Sequence, residues 1–449
     1  MKSNKGSKPQ SQGGLSRVTC PQCFTKFRPE DVLWVSEHRD LFGQDSKVAN
    51  AQLRFLPSRF APNGLAIDPG GLPCHRVACP NCHLEIPRAL LELSPFFLSI
   101  LGAPGSGKSC FLAAMASQLR KALPHNFQTS FADADAGLNT RLKQSESGLF
   151  ANARPDQARS LYELVEKTQE QGDSYGYESV NFGSQSVQFL RPYAFTMQLQ
   201  ENHPNIEQRG FGKTICLYDN AGESFLPGSE SATSPVTRHL AESSMLFFLF
   251  DPLQDSRFRA LDPKKLEQGL VDKSHLGAQE AVFQEAAKRI RTFAGLSVRD
   301  KYPRRVIVIV TKCDRWIHLA TKQIATPYPV WSSNTEGANA SVEQQNAFDI
   351  GMVDTVSKKV RELLMSATPE VVSAVENFSN KVTFVPVSAT GGKIYVDKSS
   401  GLQHIRPGDA QPFWAEVPFL YALASSSMGL IPRTTTKPNA APVKARQSG

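Results

Sequence analysis

The octapeptide Gly102 to Ser109, which reads Gly-Ala-Pro-Gly-Ser-Gly-Lys-Ser, constrains the fold of this 449-residue chain more than any other stretch. It follows the apolar run 95–101 and precedes the apolar segment 110–116, so the pattern predicts a buried strand, a glycine-rich turn and a helix in that order. Glycine lets the backbone fold closely around phosphate oxygens, and a helix amino terminus adds positive charge at the same point. The sequence therefore predicts a phosphate-binding loop and a site for a nucleoside triphosphate.

Within this loop two side chains have separate expected tasks. We expect Lys108 to contact the β- and γ-phosphates and the Ser109 hydroxyl to bind Mg²⁺, so both are also candidate catalytic residues. The residues assigned to nucleotide binding here are Gly102, Ala103, Pro104, Gly105, Ser106, Gly107, Lys108, Ser109 and Cys110.

Two Cys-Pro-x-Cys motifs precede the loop and predict a metal site. Each motif can present two thiolates from a tight turn, and a tetrahedral set of four thiolates is typical of structural zinc. The predicted zinc ligands are Cys20, Cys23, Cys79 and Cys82. Cys74, His75 and His83 are the alternatives for one of these positions, and about residues 30–71 form an insertion between the motifs. A closed four-cysteine site has no open coordination position, so no catalysis is assigned to it.

Composition limits the compartment and the partners. Eight cysteines, four of them in paired motifs and others in apolar segments, suit a reducing cytoplasm better than a disulfide framework. The net charge of +8 permits a nucleic acid or an acidic protein partner without requiring either. No apolar stretch approaches the ~18 residues of a spanning helix. Residues 1–8 carry charge with no apolar segment behind them, so we expect a cytoplasmic protein with no secretory signal and no membrane span.

A second apolar strand, 214–218, ends in Asp219 and continues as D-x-x-G to Gly222. A carboxylate at this place is expected opposite the phosphate-binding loop, where it binds Mg²⁺, usually through water. The backbone N–H of Gly222 is expected to approach the γ-phosphate. Glu223 is a candidate for orienting the attacking water, and the alternative is a solvated side chain with no catalytic task.

The later strands end in polar motifs as well. The alternating stretch 193–199 predicts an edge strand, and the continuous apolar runs 245–250 and 305–310 predict strands buried on both faces. The last of these runs leads directly into Thr311-Lys312-Cys313-Asp314, and the final strand, 381–387, leads into Ser388-Ala389.

The ordered set G-x-x-x-x-G-K-S, D-x-x-G, T-K-x-D and S-A, each at a strand end, resembles the TRAFAC class of GTPases with a Ras-like core. The resemblance covers about residues 93–430 and implies GTP or GDP with Mg²⁺ as ligands. It implies that the base is contacted by Thr311, Lys312, Asp314, Ser388 and Ala389, with Thr311 standing where Asn is common. The Asp carboxylate accepts from guanine N1–H and the 2-amino group, two donors that adenine lacks.

A narrower resemblance is to the bacterial double-GTPase-type proteins of conflict and antiviral loci. It rests on the zinc ribbon ahead of the GTPase-like segment, the large insertions around the switches, and the segment 413–420, Phe-Trp-Ala-Glu-Val-Pro-Phe-Leu. This resemblance implies a protein effector or a co-encoded subunit as partner. Because the chain has a single phosphate-binding loop motif, a paired arrangement would need a second polypeptide.

The predicted fold is α/β, with a mostly parallel sheet of the P-loop NTPase, Ras-like GTPase type and helices on both faces, preceded by a small zinc-ribbon domain with four cysteine ligands. The predicted organisation is a disordered lead (1–16), a zinc-ribbon-like domain with an insertion (17–92), a P-loop GTPase domain (93–431) with insertions at about 133–191 and 315–343, and a disordered tail (432–449). The predicted helices are 108–123, 158–169, 276–293, 346–365 and one beginning in 412–421.

The first switch of a GTPase would fall in 133–191, and the sequence does not select its residues. Thr129, Thr140 and Thr168 are the available threonines, and Arg141, Arg154 and Arg159 have equal claim to be an arginine finger. Intrinsic GTP hydrolysis is therefore expected to be slow unless a partner supplies the missing charge.

Three functions are compatible with these motifs. The leading one is a GTP-controlled switch read by a partner protein. The second is an ATP-driven motor that grips nucleic acid through the basic zinc-ribbon region. The third is a scaffold that binds nucleotide without hydrolysing it. The oligomeric state is not predicted.

Overall fold

In a computed structural model, the residues described are 15–165, 176–207, 210–220, 222–225, 238–266, 278–320, 330–333, 346–426 and 429–434. Their strands are β1 (Val18–Thr19), β2 (Lys26–Phe27), β3 (Leu33–Val35), β4 (Arg54–Phe55), β5 (Val77–Ala78), β6 (Glu85–Ile86), β7 (Ser94–Gly102), β8 (Thr129–Asp133), β9 (Arg159–Ser160), β10 (Tyr177–Phe182), β11 (Gln185–Leu190), β12 (Tyr193–Leu199), β13 (Lys213–Asp219), β14 (Met245–Phe250), β15 (Arg305–Val310), β16 (Trp331–Ser333), β17 (Asn346–Asp349), β18 (Val382–Pro386), β19 (Tyr395–Val396), β20 (Gln403–Ile405) and β21 (Arg433–Thr434). The helices are α1 (Lys108–Phe127), α2 (Thr140–Phe150), α3 (Leu161–Leu164), α4 (Arg238–Glu242), α5 (Ser256–Arg259), α6 (Pro263–Leu266), α7 (Ala278–Ala294), α8 (Cys313–Ala320), α9 (Ile350–Ala367), α10 (Pro369–Phe378) and α11 (Val417–Ser425).

The chain forms two compact units. The first unit comprises the residues up to Pro95 together with Ser179–Val187, and the second unit comprises Phe96–Glu178 and the residues from Gln188 onward. Ser179–Val187 is the turn region of the β10–β11 hairpin. The chain therefore leaves the second unit once, contributes a hairpin tip to the first unit, and returns.

The first unit is built from very short strands. β1 pairs antiparallel with β2, and a four-stranded antiparallel sheet has the order β4-β3-β5-β6. The hairpin tip joins this unit through Asn181, whose backbone N–H donates to the carbonyl of Lys47 at 2.8 Å. The Lys47 ammonium also lies 5.4 Å from the centroid of the Phe182 ring.

The second unit is organised around a seven-stranded sheet of order β18-β15-β14-β7-β13-β12-β8. The pairs β18/β15, β15/β14 and β14/β7 are parallel, whereas β12 pairs antiparallel with both β13 and β8. The prediction that 193–199 is an edge strand is wrong, because β8 lies outside it. The Phe131 ring of β8 stacks on Phe195 of β12 at 4.7 Å between centroids, which gives the alternating apolar face of β12 a partner.

Burial follows the composition of the strands. All six residues of β14 are buried, as are Val306–Val310 of β15, which is the expected pattern for strands covered on both faces. The helix α1 follows β7 and packs against α2 and β8, while α9 packs against β18 and α7 against α10. The main apolar cluster, which runs from Phe96 to Ile431, lies within the second unit. The α/β architecture with a mostly parallel sheet flanked by helices is therefore as predicted.

Several elements differ from the sequence prediction. The segment 346–349 is β17, not the start of a helix, because it pairs with β16 and β21, and α9 begins after it at the Asp349 cap. The predicted helix 158–169 is β9 followed by the single turn α3, and 166–169 lies outside the described residues. The elements α2, α5, α6, α8 and α10 were not predicted, and β21 occupies Arg433–Thr434 in the predicted tail.

Over the part of the chain that the structure describes, no helix combines the length and the apolar character needed to cross a bilayer.

Candidate functional site

Four cysteine sulfur atoms meet in the first unit. The Sγ atoms of the cluster lie within 4.8 Å of one another, and all four side chains are buried. Its members are the four predicted ligands Cys20, Cys23, Cys79 and Cys82. The alternatives are not in the cluster: the Cys74 sulfur lies 3.7 Å from the carbonyl of Leu72, and His83 bonds to Asp45.

The two motifs form turns of the same geometry. In the first, the backbone N–H of Gln22 donates to Cys20 Sγ at 3.4 Å, and in the second the N–H of Asn81 donates to Cys79 Sγ at 3.4 Å. The residues after the second cysteines, Phe24 and His83, both adopt the left-handed conformation, with φ of 56° and 60°. Two copies of one local turn thus face each other across the cluster.

The spacing of the sulfur atoms fits a tetrahedral metal ion. Cys20 Sγ lies 3.8 Å from Cys82 Sγ, and Cys23 Sγ lies 3.7 Å from Cys79 Sγ. A tetrahedron with Zn–S bonds of about 2.3 Å has edges of about 3.8 Å. Burial raises the pKa of the Cys20 thiol, whereas hydrogen bonding with Cys20 lowers the pKa of Cys23. Because buried thiolates repel one another, four of them need a cation, and a metal such as zinc satisfies this.

A buried carboxylate anchors the second turn. Asp45 accepts from His83 Nδ1 at 2.9 Å and from the backbone N–H groups of Lys47 and Val48, both at 2.9 Å. Burial alone would raise the pKa of Asp45, but these hydrogen bonds hold it at about 2. His83 is therefore occupied in fixing the long insertion to the cysteine turn.

The second unit contains a cleft of about 630 Å³ at one edge of the sheet. In a parallel sheet the carboxyl ends of the strands meet at one edge, and here β7, β14, β15 and β18 all deliver their following residues to that edge. The predicted residues that line the cleft are Ala103, Pro104, Gly105, Ser106, Gly107, Lys108, Ser109, Cys110, Thr311, Lys312, Asp314, Ser388 and Ala389. Segments separated by up to 280 residues in sequence are thus brought to one site.

The glycine loop has the geometry of a strand-turn-helix corner. Gly105 and Gly107 have φ of 74° and 90°, which other residues rarely adopt. The Lys108 ammonium donates to the carbonyl of Gly102 at 2.9 Å, so its charge lies over the loop. The helix α1 begins at Lys108, and its first N–H groups have no partners inside the helix. An ammonium and a helix amino terminus at one turn favour an anion.

The turn Gly222–Phe225 packs directly against the glycine loop. A Cβ atom on Gly222 would lie 2.5 Å from the Gly102 carbonyl and 2.9 Å from the Pro104 nitrogen, so only glycine fits there. Asn220 ties the end of β13 to β7, since its Nδ2 donates to the carbonyl of Ile100 at 2.8 Å. Asp219 is buried at the end of β13.

Gly102, Asp219 and Gly222 do not line the cleft, although Gly222 packs directly on the loop that does. The side chain of Glu223 lies outside the described residues.

Thr311 and Lys312 link the end of β15 to the neighbouring strands. The Thr311 hydroxyl donates to the carbonyl of Ser106 at 3.0 Å, which joins the T-K-x-D segment to the glycine loop. The Lys312 ammonium donates to Asp251 Oδ2 at 2.6 Å, and the Asp251 side chain is almost fully buried. These contacts hold the segment in place without using Asp314.

Asp314 is an acid that lines the cleft and stays open to solvent. Its Oδ1 accepts from the Ser388 hydroxyl, and a Cβ atom on Gly392 would lie 3.0 Å from its Oδ2. Desolvation by the surrounding cleft walls raises the pKa of Asp314, although the Ser388 hydroxyl opposes the shift. Burial also raises the pKa of Cys110 to about 11, so this thiol stays protonated and is a poor nucleophile near neutral pH.

Sequence reasoning missed several residues that line the cleft. Asp251 and Gln254 follow β14, and Gln254 Nε2 donates to the carbonyl of Pro104 at 3.3 Å. The sequence did indicate Asp251 as a candidate, because it directly follows an apolar strand, as Asp219 does. The segments 160–165 and 392–403 also line the cleft, and they have no motif that would reveal it.

The described candidate residues of the first switch do not line the cleft. The Thr129 hydroxyl is buried and donates to the carbonyl of Phe127 at 3.0 Å, and Thr140 donates to Ala136 at 2.9 Å. Neither lines the cleft, nor do Arg141, Arg154 or Arg159. Thr168 lies outside the described residues.

The arrangement can place an anion at the glycine loop and a polar ring at the Asp314 carboxylate, with the Thr311–Lys312 segment between them. No protein-family model matches this chain, and no curated protein matches it significantly.

Proposed function

We propose that the chain binds a guanine nucleotide with Mg²⁺ in the cleft of the second unit, hydrolyses GTP slowly, and switches a partner protein between two states. The observation that carries this proposal is the convergence of the glycine loop, the segment from Thr311 to Asp314, and Ser388-Ala389 on one cleft. Each of the three comes from a different strand end and has its own part of a nucleotide to contact.

In this proposal the phosphates lie on the glycine loop and α1. Lys108 and the first N–H groups of α1 would balance their charge, and the Ser109 hydroxyl and Asp219 would hold Mg²⁺ directly or through water. Mg²⁺ supplies further positive charge on the β- and γ-phosphates when it is bound. Water would attack the γ-phosphoryl group and release GDP and phosphate. The backbone N–H of Gly222 is the candidate for sensing the γ-phosphate, and Glu223 is the candidate for orienting the attacking water. Since none of the three candidate arginines of the insertion lines the cleft, slow turnover is part of the proposal.

The base would be read at Asp314. Its carboxylate would accept from guanine N1–H and the 2-amino group, and the backbone of Ala389 would approach O6. Adenine lacks both donors and would cover the carboxylate without replacing its hydrogen bonds to water, which costs binding free energy. The engaged Ser388 hydroxyl would keep the carboxylate oriented.

A protein is the partner we favour. Between residues 15 and 95 the chain has nine Lys or Arg and eight Asp or Glu, so this part of the metal-binding unit has almost no surplus of positive charge for nucleic acid. None of the eight cysteines is in a disulfide, which suits a reducing cytoplasm. The resemblance to conflict-locus proteins makes a bacterial defence role, with a co-encoded effector, part of this proposal.

The test is a titration of the full-length protein with fluorescent GTP and ATP in Mg²⁺. Wild type should prefer GTP by about tenfold or more, which is about 1.4 kcal/mol. Asp314→Asn should lose that preference, because an amide cannot accept from both guanine donors at once. Asp156→Asn, an exposed change away from the cleft, is the matched control and should leave the preference unchanged.

Equal binding of ATP, unaffected by Asp314→Asn, would exclude guanine recognition and leave the nucleic-acid motor as the working model. Tight GTP binding without any single-turnover hydrolysis would instead favour the scaffold.

A further inference from the structure

Asn220, the residue that follows Asp219, has a side-chain amide that is bonded on two sides. Asn220 is 2% exposed, and its Nδ2 donates to the carbonyl of Ile100 in β7 at 2.8 Å. Its Oδ1 lies 2.7 Å from Nε2 of His239, which belongs to α4. Because a carbonyl only accepts, the first bond fixes the orientation of the amide, and the second bond must run from the N–H of His239 Nε2 to Oδ1. The amide therefore links the end of β13 both to β7 and to α4.

His239 is itself held in a fixed position. It is 3% exposed, and its ring stacks on that of Tyr218 in β13, with 4.8 Å between the centroids. Its carbonyl accepts from the backbone N–H and from the hydroxyl of Ser243, at 2.9 and 2.8 Å. The Ser243 hydroxyl lies 2.7 Å from that of Ser99 in β7. The two strands that are joined by Asn220 therefore also fix the ring and the backbone of His239.

The bond from His239 acts next to a proposed magnesium ligand. Asp219 is the last residue of β13 and directly precedes Asn220. The two proposed ligands, the Ser109 hydroxyl and the Asp219 carboxylate, are oxygen donors of the kind that Mg²⁺ prefers, and Mg²⁺ tolerates little deviation from octahedral geometry. A buried amide oxygen that loses its donor is unfavourable, so the amide would turn toward another donor and shift the end of β13.

We propose that His239 is a positioning residue for Mg²⁺, because it holds the Asp219 carboxylate, through Asn220, in the place where the ion is bound. This inference rests on the proposed function, since it takes a nucleotide with Mg²⁺ as the ligand of the cleft. His239 does not line the cleft and acts through Asn220. Its loss should therefore weaken the contribution of Mg²⁺ to nucleotide binding and leave the binding of nucleotide without Mg²⁺ unchanged.

The experiment measures the affinity of the full-length protein for mant-GDP as a function of the free Mg²⁺ concentration, beginning in EDTA. His239→Phe keeps an aromatic ring beside Tyr218 but removes the N–H donor. It should raise the Mg²⁺ concentration of half-maximal effect about tenfold, while the affinity in EDTA stays within about twofold of wild type. His239→Gln can place an amide N–H near the same point and should recover most of the Mg²⁺ response.

Two further variants test the route and the specificity of the effect. Asn220→Ala should raise the Mg²⁺ requirement at least as much, and adding His239→Phe to it should change little, because both substitutions remove the same bond. His203→Phe is the matched control, since His203 is a histidine of the second unit that is 1% exposed and does not line the cleft. It should keep the wild-type Mg²⁺ response.

The outcomes separate this inference from the proposed function. If wild type binds nucleotide with a Mg²⁺ dependence that His239→Phe leaves unchanged, the positioning role is wrong and the proposed function stands. If His239→Phe loses affinity equally in EDTA and in Mg²⁺, the histidine supports the shape of the cleft and not the ion, and the positioning role is wrong. Additive effects of His239→Phe and Asn220→Ala would also exclude it. If wild type binds no nucleotide, or binds it without any effect of Mg²⁺, the proposed function fails and the positioning role with it.

Discussion

The two units of this protein are stabilised in different ways. The second unit has a seven-stranded sheet and an apolar cluster that extends from Phe96 to Ile431, so burial of apolar surface dominates its stability. The first unit has strands of two or three residues, and four of its buried side chains are the clustered cysteines. In the first unit a cysteine cluster that could hold a metal such as zinc lies among short strands, whereas the cleft of the second unit lies on a large apolar core.

The largest expected effect comes from removing the metal. Chelation, or Cys23→Ser, should unfold the first unit, because structural zinc in small domains contributes about 10 kcal/mol or more to folding. The second unit should keep its thermal transition. Hydrogen exchange resolved by peptide, together with measured zinc content, checks both statements.

Cys74→Ser is the control for this experiment, since Cys74 is a buried thiol of the same unit outside the cluster. It should retain zinc and protection. Unchanged protection of the first unit after complete loss of zinc would show that the metal does not stabilise this unit.

A smaller effect is expected from a buried ion pair in the second unit. Arg289 is 2% exposed and donates to Glu285 Oε1 at 2.8 Å. Its guanidinium also lies 5.1 Å from the ring centroid of Phe225, in the turn that packs on the glycine loop. Arg289→Met removes a buried guanidinium and its bond to Glu285 and should lower the free energy of unfolding of the second unit by about 2–3 kcal/mol. Denaturant unfolding checks the value, and zinc content should not change.

Two further variants sharpen that prediction. Adding Glu285→Leu to Arg289→Met should restore little of the lost stability, because Glu285 is 22% exposed and Lys288 Nζ lies 3.5 Å from its Oε2. Arg257→Met removes contacts of an arginine that is 53% exposed, and it should cost less than about 1 kcal/mol. Equal losses from Arg289→Met and Arg257→Met would show that burial of the pair is not decisive.

The smallest effect tests polar anchoring in the first unit. Asp45→Asn weakens the bonds to His83 and to the backbone of the insertion and should cost the first unit about 1–3 kcal/mol in the free energy of unfolding. The folded pKa of Asp45 is about 2, below the ordinary value for an aspartate. Its contribution is therefore present above the ordinary pKa and is lost as the pH falls through about 2.

The difference in stability between wild type and Asp45→Asn, measured from neutral pH down to the pH at which the cysteine cluster releases its metal, checks this sign, and wild type should keep its advantage over that range. Asp40→Asn is the matched control, since Asp40 is exposed in the same segment. Equal stability of wild type and Asp45→Asn at neutral pH would mean that the charge of Asp45 does not stabilise the first unit.

Much of the cysteine cluster and of the cleft could be predicted from the sequence, because both depend on contacts between residues that are close in the chain. A Cys-Pro-x-Cys turn brings its two sulfur atoms together by its own backbone bonds, so Cys20 with Cys23 and Cys79 with Cys82 could be named from spacing alone. Likewise a polar residue after an apolar strand, such as Thr311 after β15, must emerge at an edge of the sheet.

The errors come from pairings between distant segments. The alternation in 193–199 could not show that β8 lies outside β12, and nothing near 346 showed that these residues pair with β16 and β21. Short strands such as β17 have little intrinsic preference, so their partners decide their conformation.

The four clustered cysteines, the glycine loop, and the strand ends with polar motifs could all be identified from the sequence, because each depends on residues within one turn or one strand. Only the tertiary structure decided that Asp251 pairs with Lys312, that Gly222 packs on Gly102, and that the tip of the β10–β11 hairpin belongs to the first unit. It alone decided that β9 and β20 join beside the cleft. These contacts bridge more than 60 residues, and chain entropy leaves such pairings open until the whole core has formed.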